Sequence, residues 1–255
     1  MQTITIEKPD KTKLNALLFY SAVCQHILII CHGFRGRKEN SGKIFSFAER
    51  LNQAGYGVLA FDFSGSGESD GEFKNITLTG QASDLTCIIE YIQSKYNLPI
   101  ILLGRSFGGT TVLSGAAENI NIAGYILWST PVYLHETFAE IMADTYNQLQ
   151  MGNTVRLSDA AGEFEISPDF IRDFDAHNME RYLAAIGNRP VLIIHGLSDT
   201  TVHPSNASYM SRHLPNAELK LIKGAEHRFE NKIREREDIT LAWLKKTFPK
   251  GGNRL

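Results

Sequence analysis

The residues with the clearest chemical potential lie in the segment Gly104-Arg105-Ser106-Phe107-Gly108. The apolar run at 100–103 predicts a buried strand, and Ser106 stands where that strand turns into a helix. A side chain at position 104 or 108 would crowd a tight turn, so glycine at both positions lets the turn push the Ser106 hydroxyl out of the sheet. The segment therefore predicts an exposed serine nucleophile, with a purely structural turn as the alternative.

A serine nucleophile needs partners, because its hydroxyl reacts poorly at neutral pH. A histidine must accept its proton, and a carboxylate must orient that histidine. Asp199 follows a predicted strand at 190–195, and His227 lies in the loop after the last predicted strand. We therefore predict Ser106 as nucleophile, His227 as base and Asp199 as acid.

Other residues compete for these roles. Asp199 could simply cap the next helix, and Asp62 and Asp70 are alternative acids at another strand end. His195 and His203 are alternative bases, but they flank Asp199 so closely that we expect them to pack or bond locally. His32 could also be a base, although we expect it to hold its own loop by hydrogen bonds. The side chain of Arg105 could pair with a neighbouring acid or be solvated.

The elements that would position these residues alternate between strand and helix. Strands are predicted at 2–7, 14–20, 27–31, 58–62, 100–103, 122–128, 190–195 and 217–222, and helices at 41–54, 79–95, 107–118, 204–213 and 231–247. We expect the first two strands to form a hairpin with exposed faces. The alternation predicts an α/β fold with a mostly parallel sheet, helices on both faces, and ligands at the carboxyl ends of the strands.

The alternation stops after Pro131 and resumes at Pro190. We interpret 131–187 as an inserted cap, with 1–130 and 188–255 forming the core. Five aromatic residues of this segment are predicted to line an apolar acyl or aryl pocket, while others only pack the cap: Tyr133, Phe138, Phe164, Phe170 and Phe174.

The same segment is acidic. Ten carboxylates against three arginines give 131–187 a net charge of −7. These carboxylates form a solvated outer face on one interpretation. On the other, some face the cleft and favour neutral or cationic substrates.

The composition limits the expected ligands and the expected cellular location. The chain has 255 residues and a net charge of −2, so no basic excess suggests nucleic acid or an anionic membrane surface as a partner. A small molecule is the expected ligand, and a homodimer is compatible with the sequence. Three cysteines without paired spacing indicate reduced thiols, and the N-terminus lacks a signal-peptide layout, which together predict a cytoplasmic protein.

No metal or other cofactor is predicted. The glycines at 65–67 and 33–36 lack the spacing of a nucleotide-binding loop. The eight histidines lack the spacing of metal ligands.

Taken with the loop His32-Gly33-Phe34, the segments around Ser106, Asp199 and His227 resemble the α/β-hydrolase fold. They are most similar to its small capped esterases and serine-aminopeptidase-like hydrolases, and within these to the cinnamoyl (feruloyl) esterases. The resemblance covers nearly the whole chain outside 131–187. A further loop, 62–69, resembles the family's Asp-x-x-Gly-x-Gly-x-Ser segment, although Ser64 stands where many relatives have arginine, and we interpret it as scaffolding.

The resemblance implies hydrolysis of a carboxylic ester through an acyl-enzyme, without a cofactor. It places the oxyanion hole at the backbone N–H groups of Phe34 and Phe107. His32 is expected to hold that loop by hydrogen bonds and to lie among the substrate-binding residues. Two alternatives are an aminopeptidase-like or amide hydrolase, and a non-catalytic receptor on the same fold. Receptors of this kind usually lose a triad member, and none is lost here.

Overall fold

The computed structural model describes residues 1–159 and 162–250. The strands are β1 (Gln2–Glu7), β2 (Lys13–Phe19), β3 (His26–Cys31), β4 (Tyr56–Phe61), β5 (Ile100–Arg105), β6 (Ile122–Trp128), β7 (Val155–Asp159), β8 (Gly162–Ile166), β9 (Val191–Gly196) and β10 (Ala217–Ile222). The helices are α1 (Lys43–Gln53), α2 (Leu78–Tyr96), α3 (Phe107–Ala116), α4 (Leu134–Met142), α5 (Asp144–Gln150), α6 (Asp169–Arg172), α7 (Met179–Ile186), α8 (Ser205–His213) and α9 (Ile233–Thr247). Every strand and helix predicted outside 131–187 is present, with its ends shifted by two residues at most.

Within the described ranges, one sheet contains eight strands in the order β1-β2-β4-β3-β5-β6-β9-β10. The pairs β1–β2 and β2–β4 are antiparallel, and the other neighbours are parallel. Strands β3, β5 and β9 are continuous apolar runs because helices cover both of their faces. The predicted α/β class and mostly parallel sheet are confirmed.

The second strand differs from its prediction. We expected β2 to keep an exposed face, but Leu14, Leu17 and Leu18 are at most 5% exposed. The reason is that β2 pairs with β4 as well as with β1, which makes it an interior strand. Strand β1, at the edge of the sheet, has exposed residues on both sides of the half-buried Ile4 and the buried Ile6.

Apolar clusters occupy both faces of the sheet. Helices α1 and α9 contribute Phe47, Leu51 and Trp243 to one face. Helices α2 and α3 contribute Ile88 and Val112 to the other. The parallel strands end at the same edge, where the loops after β3, β5, β9 and β10 meet.

The segment that we predict as a cap contains α4, α5, the hairpin β7–β8, α6 and α7. It lies between β6 and β9, which are neighbours in the sheet. The segment is therefore an insertion between adjacent strands, and its limits as a separate unit stay a prediction.

Two further features concern the predicted state of the cysteines and the possibility of a membrane span. Cys24 and Cys31 are buried free thiols, and Cys87 is a half-buried one. No helix in the described part of the chain is long and apolar enough to cross a membrane.

The turn after β5 consists of a single residue. Strand β5 ends at Arg105 and α3 begins at Phe107, so Ser106 alone makes the bend, with φ 53° and ψ −129°. Such a backbone is strained for any residue with a side chain. A Cβ on Gly104 would lie 2.4 Å from Gly109 Cα, and one on Gly108 would lie 2.3 Å from the carbonyl oxygen of His32. Both glycines are therefore required by close backbone packing, as the sequence predicted.

We expect Gly108→Ala to lower the free energy of unfolding by about 3 kcal/mol or to prevent folding, because the new methyl group would overlap backbone atoms that cannot move aside. The matched control is Gly80→Ala, whose Cβ would meet only the Thr77 hydroxyl, at 3.1 Å. That change should stay within about 1 kcal/mol. Urea titrations of both variants measure the difference, and equal stability would contradict the packing described.

Candidate active site

The residues Ser106, His227 and Asp199 lie in one hydrogen-bonded row. The Ser106 hydroxyl is 3.0 Å from His227 Nε2, and His227 Nδ1 is 2.8 Å from Asp199 Oδ2. Ser106 comes from the turn after β5, Asp199 from the loop after β9, and His227 from the loop after β10. The structure thus brings together three distant residues in the arrangement that serine nucleophiles require.

Asp199 is fully buried but well supplied with donors. Its Oδ1 accepts N–H groups from Thr201 at 3.0 Å and Val202 at 2.8 Å. Burial by itself would raise the pKa of this carboxyl group, but hydrogen bonds from His195 and His227 hold it well below the usual range. Asp199 is therefore a carboxylate at neutral pH, suited to orient the His227 imidazole.

The competing histidines occupy other positions. His195 is completely buried, with Nε2 2.8 Å from the carbonyl oxygen of Val202 and 3.3 Å from Asp199 Oδ2. His203 bonds locally, with Nδ1 2.9 Å from the Ser205 hydroxyl. Their local bonding agrees with the interpretation of both as packing or hydrogen-bonding residues.

The competing acids are also engaged elsewhere. Asp62 binds the Lys38 ammonium at 2.7 Å, and Asp70 accepts the backbone N–H of Lys13 at 2.8 Å. Glu39 and Glu68 converge with Asp62 closely enough to hold a metal ion. The Lys38 ammonium, however, lies 2.9 Å from Glu39 and 2.7 Å from Glu68, so a cation already occupies the centre of this cluster.

His32 holds the loop that follows β3. Its Nδ1–H donates to the Gly33 carbonyl at 2.8 Å, and its Nε2 accepts the Phe63 N–H at 3.2 Å. Burial lowers the pKa of His32, in keeping with a neutral ring. Since backbone atoms occupy both nitrogens, these bonds agree with the expected role of His32 in holding the loop, and its contact with substrate stays a prediction.

That loop passes directly beside the turn that carries Ser106. A Cβ on Gly33 would lie 3.1 Å from Ser106 Cβ. The N–H groups of Phe34 and Phe107 donate to no acceptor within residues 1–159 and 162–250. Phe107 also opens α3, where free N–H groups and the helix dipole favour negative charge. The two groups are therefore available to a ligand.

Three of the predicted pocket residues form a closed aromatic cluster. Phe138, Phe170 and Phe174 are at most 3% exposed, and their ring centroids lie 5.0 to 5.3 Å apart. Phe138 and Phe170 also pack against Phe107, at 5.3 and 5.5 Å, and against Phe34, at 5.7 and 5.3 Å. This cluster forms an apolar wall over the loop and the turn, and its contact with substrate stays a prediction.

Tyr133 and Phe164 lie outside that cluster. Tyr133 packs against Tyr209 at 5.2 Å. Phe164 packs against Phe73 at 5.5 Å and lies 3.8 Å from the Arg35 guanidinium. The five aromatic residues predicted as one pocket therefore occupy three separate places.

The acidic residues of 131–187 are mostly solvated. Of the ten carboxylates, only Glu165 and Asp173 are half-buried, and the others are exposed. Glu165 pairs with Arg156, and Asp173 accepts hydrogen bonds from Thr79. The structure thus agrees with a solvated outer face.

Sequence reasoning missed two contacts near the site. Arg105 is half-buried and donates to Asn40 Oδ1 at 2.7 Å, so within the described residues its guanidinium has an amide partner and no ion pair with an acid. Ser64, the departure from the family pattern, binds Asp84, and the Lys8 ammonium lies 2.9 Å from the same carboxylate. A cation from the N-terminal hairpin thus lies beside the loop that carries Ser64, and the departure at Ser64 from the expected pattern was a signal for it.

Fold and site together define the class of protein. Residues 23–182 match the family described as serine aminopeptidase, S33, and the chain belongs to this family. It is an enzyme of the α/β-hydrolase fold, so the predicted family, fold and hydrolase class are confirmed and the receptor hypothesis is set aside.

Individual proteins resemble the chain over most of its length. A monoglyceride lipase homolog of Monkeypox virus is 25% identical over 234 residues, which cover 82% of this chain and 84% of that protein. The human mitochondrial palmitoyl-protein thioesterase ABHD10 is 24% identical over 209 residues, covering 79% of this chain and 66% of that protein. The structure of Est1E from Butyrivibrio proteoclasticus with ferulic acid bound shares the fold with a TM-score of 0.81, at 24% identity, covering 97% of this chain and 100% of that one.

The low pKa of Asp199 predicts how stability depends on pH. As the pH falls below about 4, the unfolded chain takes up this proton before the folded one, so the free energy of unfolding decreases. Asp199→Asn cannot titrate, and we expect its stability to decrease less between about pH 6 and about pH 3 than that of the wild type. Urea titrations across this range measure the slope. Asp175→Asn, at an exposed carboxylate, should keep the wild-type slope, and a wild-type slope in Asp199→Asn would contradict the prediction.

Proposed function

We propose that this hydrolase is a serine carboxylesterase that cleaves small carboxylic esters, aryl and hydroxycinnamoyl esters among them. The hydrogen-bonded row from Ser106 through His227 to Asp199 carries the proposal, with distances of 3.0 and 2.8 Å. The same three residues could catalyse other acyl transfers. The proposed substrate class is therefore argued from the residues that surround them.

In the acylation step, His227 Nε2 accepts the hydroxyl proton while Ser106 Oγ forms a bond to the ester carbonyl carbon. Asp199 stabilises the imidazolium that results. The tetrahedral intermediate then collapses, the alcohol oxygen leaves, and His227 returns the proton to it. Ser106 is left as an acyl ester.

Deacylation repeats these steps with water as the nucleophile. The base His227 takes a proton from water, the hydroxide adds to the acyl carbon, and Ser106 leaves with the proton. In both steps we assign the carbonyl oxygen's negative charge to the N–H groups of Phe34 and Phe107. One such donor contributes about 3 kcal/mol to stabilising the transition state.

The apolar surroundings support an ester with an apolar acyl or aryl group. The wall of Phe138, Phe170 and Phe174 lies against the rings of both residues to which we assign the oxyanion donors. The names of the relatives are consistent with this, since they include a monoglyceride lipase homolog and a palmitoyl-protein thioesterase, and Est1E binds ferulic acid.

A reactive serine can be tested without knowing the substrate. A fluorophosphonate probe should label the wild type at Ser106, and Ser106→Ala should lose both the label and p-nitrophenyl acetate hydrolysis, by a factor on the order of 10⁶. Ser114→Ala, on the same helix α3, is the matched control and should keep both. An unlabelled wild type, or a Ser106→Ala variant that still reacts, would show that Ser106 is not the nucleophile.

One observation favours amide hydrolysis as a second candidate. An open groove of about 410 Å³ is lined by residues that include Asp175, Glu180, Tyr133 and Tyr209. Two carboxylates beside aromatic rings could hold the ammonium group of an aminoacyl substrate.

A substrate panel separates the two candidates. We expect kcat/KM for p-nitrophenyl butyrate and methyl ferulate to exceed that for aminoacyl p-nitroanilides by at least about 100-fold, since the wall beside the nucleophile is apolar. Glu180→Gln should then leave ester hydrolysis unchanged. Faster hydrolysis of anilides, reduced in Glu180→Gln and retained in the exposed control Glu140→Gln, would favour the aminopeptidase.

A further inference from the structure

A small cavity of about 50 Å³ lies behind the turn that carries Ser106. Its walls come from α1, α9 and the carboxyl ends of β3, β5 and β6, and they include the side chains of Arg105, Trp128 and Arg236. None of Ser106, Asp199 and His227 lines it. The cavity is thus distinct from the site to which we assign ester hydrolysis.

Three N–H donors on the cavity wall lack an acceptor. Arg105 Nε, Trp128 Nε1 and Arg236 Nε are buried, and none has a hydrogen-bond partner in the described ranges. Arg236 is 2% exposed and Trp128 is 4% exposed. A buried donor left without a partner costs about 1 to 3 kcal/mol. Since all three atoms are donors, whatever completes this cavity must be an acceptor.

The positive charge on the cavity wall also favours a negatively charged acceptor. Within 1–159 and 162–250, no ion pair joins a carboxylate to Arg105 or Arg236, although Glu230 acts on the pKa of Arg105, and Glu237 on that of Arg236, by longer-range attraction. Glu237 also lines the cavity, but its carboxylate accepts a hydrogen bond from Arg50 at 2.9 Å. Placing the buried Arg236 guanidinium beside the half-buried Arg105 guanidinium, with no directly paired carboxylate on either, is unfavourable.

Aromatic rings offset only part of this cost. The Arg236 guanidinium lies 3.9 Å from the centre of the Trp128 ring and 5.2 Å from that of Phe229. Burial, and after it the charge of Arg105, lowers the pKa of Arg236 to about 9. Arg236 is therefore still charged at neutral pH, and the positive charge needs a partner.

We propose that this cavity binds a small monovalent anion of halide size between Arg105, Trp128 and Arg236. A single such anion could accept all three N–H groups and offset one of the two positive charges. Water could accept two of the hydrogen bonds but would leave both charges unbalanced. The volume is large enough for one small ion together with a few water molecules, since one water needs about 10 to 15 Å³ of such space.

The place of this anion gives it a positioning role. Arg105 directly precedes Ser106, and Gly33 and Gly36, which flank Phe34 in the neighbouring loop, line the same cavity. An anion there would connect the turn to the loop from behind. It would contact neither the substrate nor the reacting atoms.

Thermal unfolding tests the site without any substrate. Replacing sodium gluconate by sodium chloride at constant ionic strength should raise the wild-type midpoint until the site saturates, because gluconate is too large to enter. A ligand at 100 times its Kd shifts the unfolding equilibrium about 100-fold. Arg236→Met should lose this response, and in gluconate it should be at least as stable as the wild type, because it removes an unbalanced buried charge. Arg234→Met, on the same helix but 72% exposed, should respond as the wild type does.

A second measurement uses only the wild-type protein and therefore does not depend on how the variants fold. Crystals soaked in sodium bromide should show an anomalous peak within hydrogen-bond distance of all three N–H groups. The proposal is overturned if no peak appears there, or if chloride and gluconate give the same midpoint. Both measurements are independent of catalysis. The anion proposal can therefore fail while the proposed ester hydrolysis is supported, and ester hydrolysis can fail while the anion proposal is supported.

Discussion

The structure depends on how closely the backbone can approach itself at the carboxyl end of β5. Helix α3 starts one residue after the strand, and Gly108 lies against the carbonyl groups of Cys31 and His32. This contact fixes the direction of α3, the strained backbone of Ser106 and the distance to the loop after β3. The Ser106 hydroxyl reaches His227 because this strained backbone conformation directs the side chain out of the sheet.

The other residues of the site are held by loops that lie far from the turn in the sequence. The Asp199 carboxylate stays ionised although buried, because two histidines and two backbone N–H groups surround it. His32 keeps its loop in place with both ring nitrogens. The site is therefore organised by hydrogen bonds to backbone atoms as much as by contacts between side chains.

Much of this could be predicted from local sequence patterns. Continuous apolar runs predicted β3, β5 and β9, and the glycines around Ser106 predicted the turn. The position of β2 was not predicted, because its antiparallel pairing with β4 is set by tertiary structure, although Leu17 and Leu18 break its alternation. The proximity of Arg105 and Arg236 could not be predicted either, because no sequence pattern indicates that β5 and α9 lie side by side. The separation of the cap aromatics into three places could not be predicted either, since no local pattern indicates which ring packs against which partner.

The ion pair between Lys8 and Asp84 has a consequence for the N-terminal hairpin. The Asp84 side chain is 1% exposed, and the Lys8 ammonium at 2.9 Å balances its buried charge. Removing one partner of a buried pair leaves the other charge uncompensated, which is strongly destabilising. The first strands of the chain are thereby joined to the core by this charge as well as by strand pairing, and they do not behave as an independent extension.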